Sequence, residues 1–275
     1  MVIKYIESSQ NQYLKDYRKL KDKKWREKLK LMPVEGTTLF REAVLRGVNI
    51  SYAVIARSFW ESGESPVISA VLDLEVPCFI VNDKVFDKVA FTETPQGILA
   101  CVELIEYSLE DILERKKDIL LSVGIKDPGN LGTLMRTAEA FDLGGVILLK
   151  GSVDPTNDKV IRSSMGAVFS LPFFKVPGDK SEKDIVDVVA GWGYNLIAAH
   201  HKGELNSYHL EVDESPVCII IGTESGGIPG EIFNSGVSVL KTKIPISSNI
   251  ESLNAAVAGS ILVYEVFRSR LHKGL

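Results

Sequence analysis

Five continuous apolar runs in the second half of the chain constrain its fold more than any other feature: Ile119–Val123, Val146–Leu149, Leu196–Ala199, Val217–Ile221 and Val237–Ile244. The first four show no alternation with polar residues, and the fifth is read with them although it carries Ser238, Lys241, Thr242 and Lys243. Each therefore predicts a strand buried on both faces, as in a parallel sheet covered by helices. Behind the runs come the loops DPGNLG, GSVDPTNDK, AHHKGE, GTESGGIPG and PISSNIESLN. In an open parallel sheet, ligands bind where loops leave the carboxyl ends of strands, so these unusual residues should share one rim.

The first half reads as a smaller alternating α/β unit. A charged helix is expected over 10–30, a strand at Met32–Val34, and a helix from Thr37 to Arg46 that Gly47 ends. Apolar runs at Ile50–Ile55 and Val76–Val81 flank a helix near Pro66–Leu74; Asp83–Val89, a turn at Thr94–Gly97 and the strand Ile98–Val102 follow. Residues 106–118, charged and with only Leu109, Ile112 and Leu113 as an apolar face, read as a helical linker. The expected organisation is thus 1–105, a linker at 106–118, and 119–275.

With 45% hydrophobic and 25% charged residues, the chain is globular in composition. No apolar run approaches the ~20 residues of a membrane span, and Met1–Gln10 lacks the hydrophobic stretch of a secretory signal, so a cytoplasmic protein without a membrane partner is expected. Cys78, Cys101 and Cys218 have no metal-ligand spacing and read as buried reduced thiols. His200-His201 at a strand end should point opposite ways, which gives no metal site.

The net charge of −4 hides a gradient. Residues 1–30 carry ten Lys or Arg against four Asp or Glu, an excess of +6, with Tyr5, Tyr13, Tyr17 and Trp25 interleaved. Such a segment, including Lys23, Lys24 and Arg26, suits a polyanion such as RNA, and equally a solvated helix face. Lys159, Arg162, Ser163 and Ser164 form a polar helix start that admits the same two readings.

Three loops carry the chemistry. In DPGNLGTLMRTAEAF, Asn130 reads as an N-cap, with Leu131, Leu134, Met135, Ala138 and Phe141 as the buried stripe and Arg136 on the polar side. GTESGGIPG has glycines that allow close backbone approach, and a carboxylate, Glu224, that a bare turn does not need. It is neither a dinucleotide fingerprint nor a P-loop, which argues against a nicotinamide enzyme. In IPISSNIESLNAAVAGSILVYEVF, Ser248 and Glu251 fit a capping box, and Ile250, Leu253, Val257, Ile261 and Tyr264 a buried stripe. The small residues Ala255, Ala256, Ala258, Gly259 and Ser260 suggest close approach of another backbone, while Ser252 and Asn254 lie off the stripe.

In this order and spacing, Asn130-Leu131-Gly132-Thr133-Leu134-Met135-Arg136, Gly222-Thr223-Glu224-Ser225-Gly226-Gly227, and Ile244-Pro245 through Glu251-Ser252-Leu253-Asn254 resemble the three motifs of the SpoU (TrmH) family of RNA ribose 2′-O-methyltransferases, within the SPOUT class. Residues 155–172 look like the family segment between the first two motifs, and VEGTTLFREAV and TPQGILA like parts of its amino-terminal substrate-binding domain. One departure is Ser248, where the third motif usually has glycine.

The resemblance implies a carboxyl-terminal trefoil-knotted parallel-sheet domain, a small amino-terminal α/β RNA-binding domain, a homodimer, and S-adenosylmethionine without a metal. It places the cofactor at Ala199, His200, Gly222, Ile244, Ile246 and Leu253, and catalysis at Arg136, Asn130, Glu224, Ser252 and Asn254. Lys23, Lys24, Arg26, Lys159 and Arg162 would then contact RNA, ribosomal RNA rather than transfer RNA. Transfer RNA as substrate, or a non-catalytic ribosome-associated RNA-binding protein with a degenerate pocket, stays open at this point.

Overall fold

The structure, a computed structural model, describes residues 3–63, 65–223 and 226–273. The chain divides into two compact units: Met1–Ile105 with Thr156–Ser170, and Glu106–Pro155 with Leu171–Leu275.

In the first unit the order is β1 (Ile3–Ile6), α1 (Gln12–Lys19), α2 (Lys23–Leu29), β2 (Leu31–Glu35), α3 (Thr37–Leu45), β3 (Ile50–Ala56), α4 (Arg57–Glu61), α5 (Pro66–Asp73), β4 (Cys78–Val81), α6 (Asp83–Val89) and β5 (Ile98–Glu103). The sheet runs β1-β4-β3-β5-β2, parallel through β1, β4 and β3 and antiparallel at β5 and β2. Leu14, Tyr17 and Leu20 pack with Tyr52, Phe79 and Phe86 in its core. The charged segment over 10–30 is two helices. A continuous helix would use the Leu20 and Lys21 carbonyls four residues on; here both accept from Arg26 Nη1, at 2.8 and 3.0 Å. The two stretches that resemble the substrate-binding domain meet in this unit. Gly36 opens α3 at φ 97°, and the Gln96 side-chain oxygen accepts from Thr37 N at 3.0 Å, in place of a capping side chain.

The second unit follows with α7 (Leu109–Leu113), β6 (Ile119–Ser122), α8 (Pro128–Ala140) and β7 (Gly145–Leu148). Next in the chain is α9 (Asp158–Ser163), which belongs to the first unit. The second unit resumes with β8 (Phe173–Lys175), α10 (Glu182–Gly191), β9 (Asn195–Ala199), β10 (Leu205–Asn206), β11 (Val217–Ile221), α11 (Gly230–Phe233), β12 (Val239–Lys243) and α12 (Ala255–Lys273). Its sheet, ordered β10-β12-β9-β11-β6-β7-β8, is parallel throughout. The five apolar runs form its interior, and the short β8 and β10, too brief to read from sequence, form its edges. Residues 106–118 are not a linker in this architecture. Leu109, Ile112 and Leu113 are buried in the second unit's core with Ile119, Leu121 and Ile147.

The last helix differs from its reading in start and in face. It begins at Ala255, not at Ser248, because Asn254 caps it: the Asn254 Oδ1 accepts from Ala256 N at 2.9 Å and Val257 N at 3.2 Å. Ser248 and Glu251 are exposed in the irregular stretch before it. The buried face is Ala255, Ala256, Gly259, Leu262, Val263 and Val266, whereas Ile250, Val257 and Tyr264 are exposed. Small residues win the inner face because α12 lies on α8 and β11; a Cβ on Gly259 would overlap the Leu134 side chain and reach Ile221 Cγ1 at 3.2 Å. The close approach read from the small residues is therefore to α8 and β11.

Candidate active site

The loops leaving β9, β11 and β12 enclose a cleft of about 560 Å³ in the second unit. Ala199, His200, Gly222, Ile244, Ile246 and Leu253 all line it, joined by Ser252 and by residues the sequence did not single out for this role: His201, Thr223, Ile228, Thr242, Glu251, Ala255 and Ala258. Thr242 was within reach of the sequence, since it stands two residues before Ile244 in the same expected strand, Val237–Ile244.

The Gly222 turn is closed by paired backbone bonds, Thr223 N to Gly227 O at 3.2 Å and Gly227 N to Thr223 O at 2.9 Å. A Cβ on Gly222 would overlap Gly227 O and come within 2.7 Å of Ile228 N, so the turn admits only glycine there. Glu224 lies outside the described residues.

Asn130 sits in the first turn of α8, but it is not the cap. Asp127 takes that part, its Oδ1 accepting from Asn130 N at 2.8 Å, with Pro128 as the first helical residue. The Asn130 side chain is instead engaged by the third motif: Asn254 Nδ2 donates to Asn130 Oδ1 at 2.9 Å. The same two helices are tied again where Thr137 and Ser260 share a hydroxyl hydrogen bond at 2.9 Å. Thus the first and third motifs, 124 residues apart at this bond, meet directly. Arg136 stands exposed on α8, six residues or about 9 Å of helix beyond Asn130, and does not line the cleft.

His200 and His201 do not point apart. Their rings stack at 5.0 Å and 15°, because the chain turns at His200, whose Nδ1 accepts from Lys202 N at 3.1 Å. Burial first, then the nearby charges of His201, Lys241 and Lys202, hold the His200 pKa below its ordinary value. Among the described residues, no group of three or more His, Cys, Asp or Glu is placed to hold a metal.

The basic residues read as RNA contacts all lie in the first unit, and they separate by exposure. Lys23, Lys24 and Lys159 are exposed. Arg162 is paired with Asp158 at 2.9 Å. Arg26, by contrast, is 2% exposed, and its guanidinium is committed to Thr156, Leu20 and Lys21, so it is not a surface contact.

The sequence profile of the SpoU rRNA methylase family matches residues 118–264, more than half of the chain. The chain belongs to this family. Residues 11–100 match the MRM3-like substrate binding domain. Over 264 residues the chain is 31% identical to the 23S rRNA (guanosine(2553)-2′-O)-methyltransferase RlmP of Bacillus subtilis, covering 96% of this chain and 99% of that one. Among solved structures, an AdoMet-bound rRNA methyltransferase from Sinorhizobium meliloti is similar at a TM-score of 0.81 and 28% identity, with 98% of each chain covered. An RNA 2′-O ribose methyltransferase is similar at 0.79 and 27% identity, covering 98% of this chain and all of that one.

The cleft suits the cofactor of such enzymes. Its walls are aliphatic at Ile221, Ile228, Ile244, Ile246 and Leu253, its rim is backbone-rich at Gly222, Gly226 and Gly227, and its volume is that of a site for a nucleoside-sized ligand. Thr242 adds a buried hydroxyl with no hydrogen-bond partner among the described residues.

Proposed function

We propose that this chain transfers a methyl group from S-adenosylmethionine to a ribose 2′-hydroxyl of ribosomal RNA. The observation that carries the reading is the joining of the first and third motifs, through Asn254 and Asn130, beside a cleft lined by all six residues expected to hold the cofactor. Ribosomal RNA, rather than transfer RNA, is favoured by the near full-length likeness to the Bacillus subtilis enzyme, which is named for 23S rRNA.

S-adenosylmethionine supplies an electrophilic methyl group on a sulfonium. Residues 199–200, 222, 244, 246 and 253 hold it, the aliphatic side chains excluding water around it. Asn130 and Asn254 fix the loop ends beside the cleft, and Ser252 lines it. Glu224 is assigned to the same site from its motif. The target hydroxyl is barely acidic at neutral pH, so in-line placement and charge stabilisation carry the reaction. Arg136 binds the target phosphate and stabilises the developing oxyanion, while the hydroxyl proton passes to a phosphate oxygen or to water. It is not the base, since a guanidinium stays protonated in proteins.

Because Arg136 does not line its own chain's cleft, we assign the complete site to a homodimer in which one protomer's Arg136 serves its partner's cleft. Supporting this, Val257, Tyr264 and Leu271 recur every seven residues along α12 and are exposed at 46%, 49% and 62%, an apolar stripe of the kind that a second copy covers. The working compartment is taken as the cytoplasm, where the free, buried Cys78, Cys101 and Cys218 stay reduced.

Mapping 2′-O-methyl positions in ribosomal and transfer RNA from cells with and without the gene tests the reading. One ribosomal ribose should lose its methyl group in the deletion. Loss confined to transfer RNA would move the substrate, and an unchanged map would reject the activity.

A further inference from the structure

Residues 156–170 lie in sequence between β7 and β8, neighbouring strands of the second unit's sheet, yet they pack in the first unit. Several contacts among the described residues hold them there. Arg26 of α2 donates from Nε to Thr156 Oγ1 at 2.8 Å, across 130 residues of chain. Gly166 adopts φ 89°, and a Cβ there would stand 2.8 Å from that of Glu42 on α3. Arg46 donates to the Ser170 hydroxyl. Directly after the first contact, Asn157 caps α9, and α9 packs on β2, the strand against which α2 also packs.

We propose that α2 and α9 form one RNA-binding surface whose lysines are split in sequence, and that Arg26 is the positioning residue that holds its two halves in register. The proposal rests on the RNA-methylation reading and adds where the substrate's phosphates are gripped. Lys24 and Lys28 are exposed on α2, and Lys159 is exposed on the first turn of α9. Lys23 pairs with Glu27 at 3.5 Å with both side chains half-exposed, a surface pair weak enough to exchange for a phosphate. Arg162 is not counted, since Asp158, mostly buried, keeps it in the protein.

A guanidinium 2% exposed is desolvated, and it is tolerated because its donors have fixed acceptors. Those acceptors are the Leu20 and Lys21 carbonyls at the foot of α2 and the Thr156 hydroxyl at the foot of α9. One buried cation therefore sets the position of one helix against the start of the other. This arrangement also accounts for a cation excess near the amino terminus in a chain of net charge −4: a local basic surface suffices for phosphate contact.

The test uses the full chain and an unmodified transcript of large-subunit ribosomal RNA, with affinity measured against salt. Lys24→Gln and Lys159→Gln should each weaken binding severalfold and lower the salt slope by about 1, the signature of one lost phosphate contact. Thr156→Val removes the hydroxyl that Arg26 uses and should lower RNA affinity about fivefold, while Thr156→Ser, which keeps it, binds as the parent does. S-adenosylmethionine binding by calorimetry should be the same in all four variants, which separates a displaced surface from a misfolded chain. A wild-type salt slope in Lys159→Gln, or full RNA affinity in Thr156→Val, overturns the proposal. Absence of salt-dependent RNA binding by the parent protein would overturn the underlying RNA reading as well, a distinguishable result.

Discussion

Asn254 has two tasks that two substitutions separate. Its Oδ1 caps α12 on Ala256 N and Val257 N, and its Nδ2 donates to Asn130. Asn254→Ala removes both. Loss of a cap costs about 1 kcal/mol, and loss of an exposed side-chain hydrogen bond about 0.5–1 kcal/mol, so about 1.5–2 kcal/mol is expected. With a urea dependence of about 2 kcal/mol/M, the midpoint of the second unit should fall by about 0.8–1 M. Asn254→Asp keeps the acceptor and gains about 0.3–1 kcal/mol from a negative charge at a helix start. It loses only the donor, and its midpoint should move by less than about 0.3 M. Methyl transfer should drop alike in both, about tenfold, because the link to Asn130 is gone in each. Urea titration and a labelled-methyl transfer assay give the two readouts. Equal midpoints for the two variants, or wild-type transfer by Asn254→Asp, would refute the division of labour.

Three further perturbations follow from the geometry. His200 has a lowered folded pKa, so the unfolded chain takes up its proton first as the pH falls. Its contribution to stability is full above the unfolded value and is lost as the pH falls through the folded one; urea midpoints should decline in mildly acidic buffer, less so in His200→Gln, and equal declines would remove His200 as the cause. Gly222→Ala forces a Cβ onto Gly227 O, which is backbone and cannot swing away, so stability should fall by about 1–3 kcal/mol and calorimetry should lose the S-adenosylmethionine signal. Unchanged affinity would mean that this turn does not shape the cleft. Arg270 grips Asp118 through two bonds, at 2.6 and 2.9 Å, with both side chains under one-fifth exposed, so Arg270→Met should destabilise the second unit by about 3 kcal/mol, read as a lowered Tm. A Tm within a degree of the parent's would contradict that.

The parallel sheet was legible because burial on both faces leaves an apolar run without alternation; all five runs became strands, but β12, whose run holds Ser238, Lys241 and Lys243, is buried only at Thr242 and was not the doubly buried strand expected. The edge strands β8 and β10 were not legible, at three and two residues. Of the candidate site, the meeting of the first and third motifs was legible: Asn130 and Asn254 were named together and are in contact. Their local roles were not. Asp127 and Asn254 outcompeted Asn130 and Ser248 as caps, and capping residues are chemically interchangeable, so tertiary packing chooses among them. The buried face of α12 was misread for a related reason. Amphipathic reading favours large apolar side chains, whereas the contact of α12 with α8 and β11 needs small ones. Arg26 illustrates the converse error. Charge counts treat every lysine and arginine in a basic segment as surface, yet this one is buried by contact with a residue far along the chain.

The central claim is that three separated stretches of chain build one methyl-transfer site in which Arg136 acts on RNA and not on the cofactor. Arg136→Ala, assayed on unmodified ribosomal RNA with labelled S-adenosylmethionine and by calorimetry with the cofactor alone, tests it most directly. The account predicts that transfer is lost and the binding heat remains. Wild-type transfer by the variant, or loss of cofactor binding together with transfer, would contradict it.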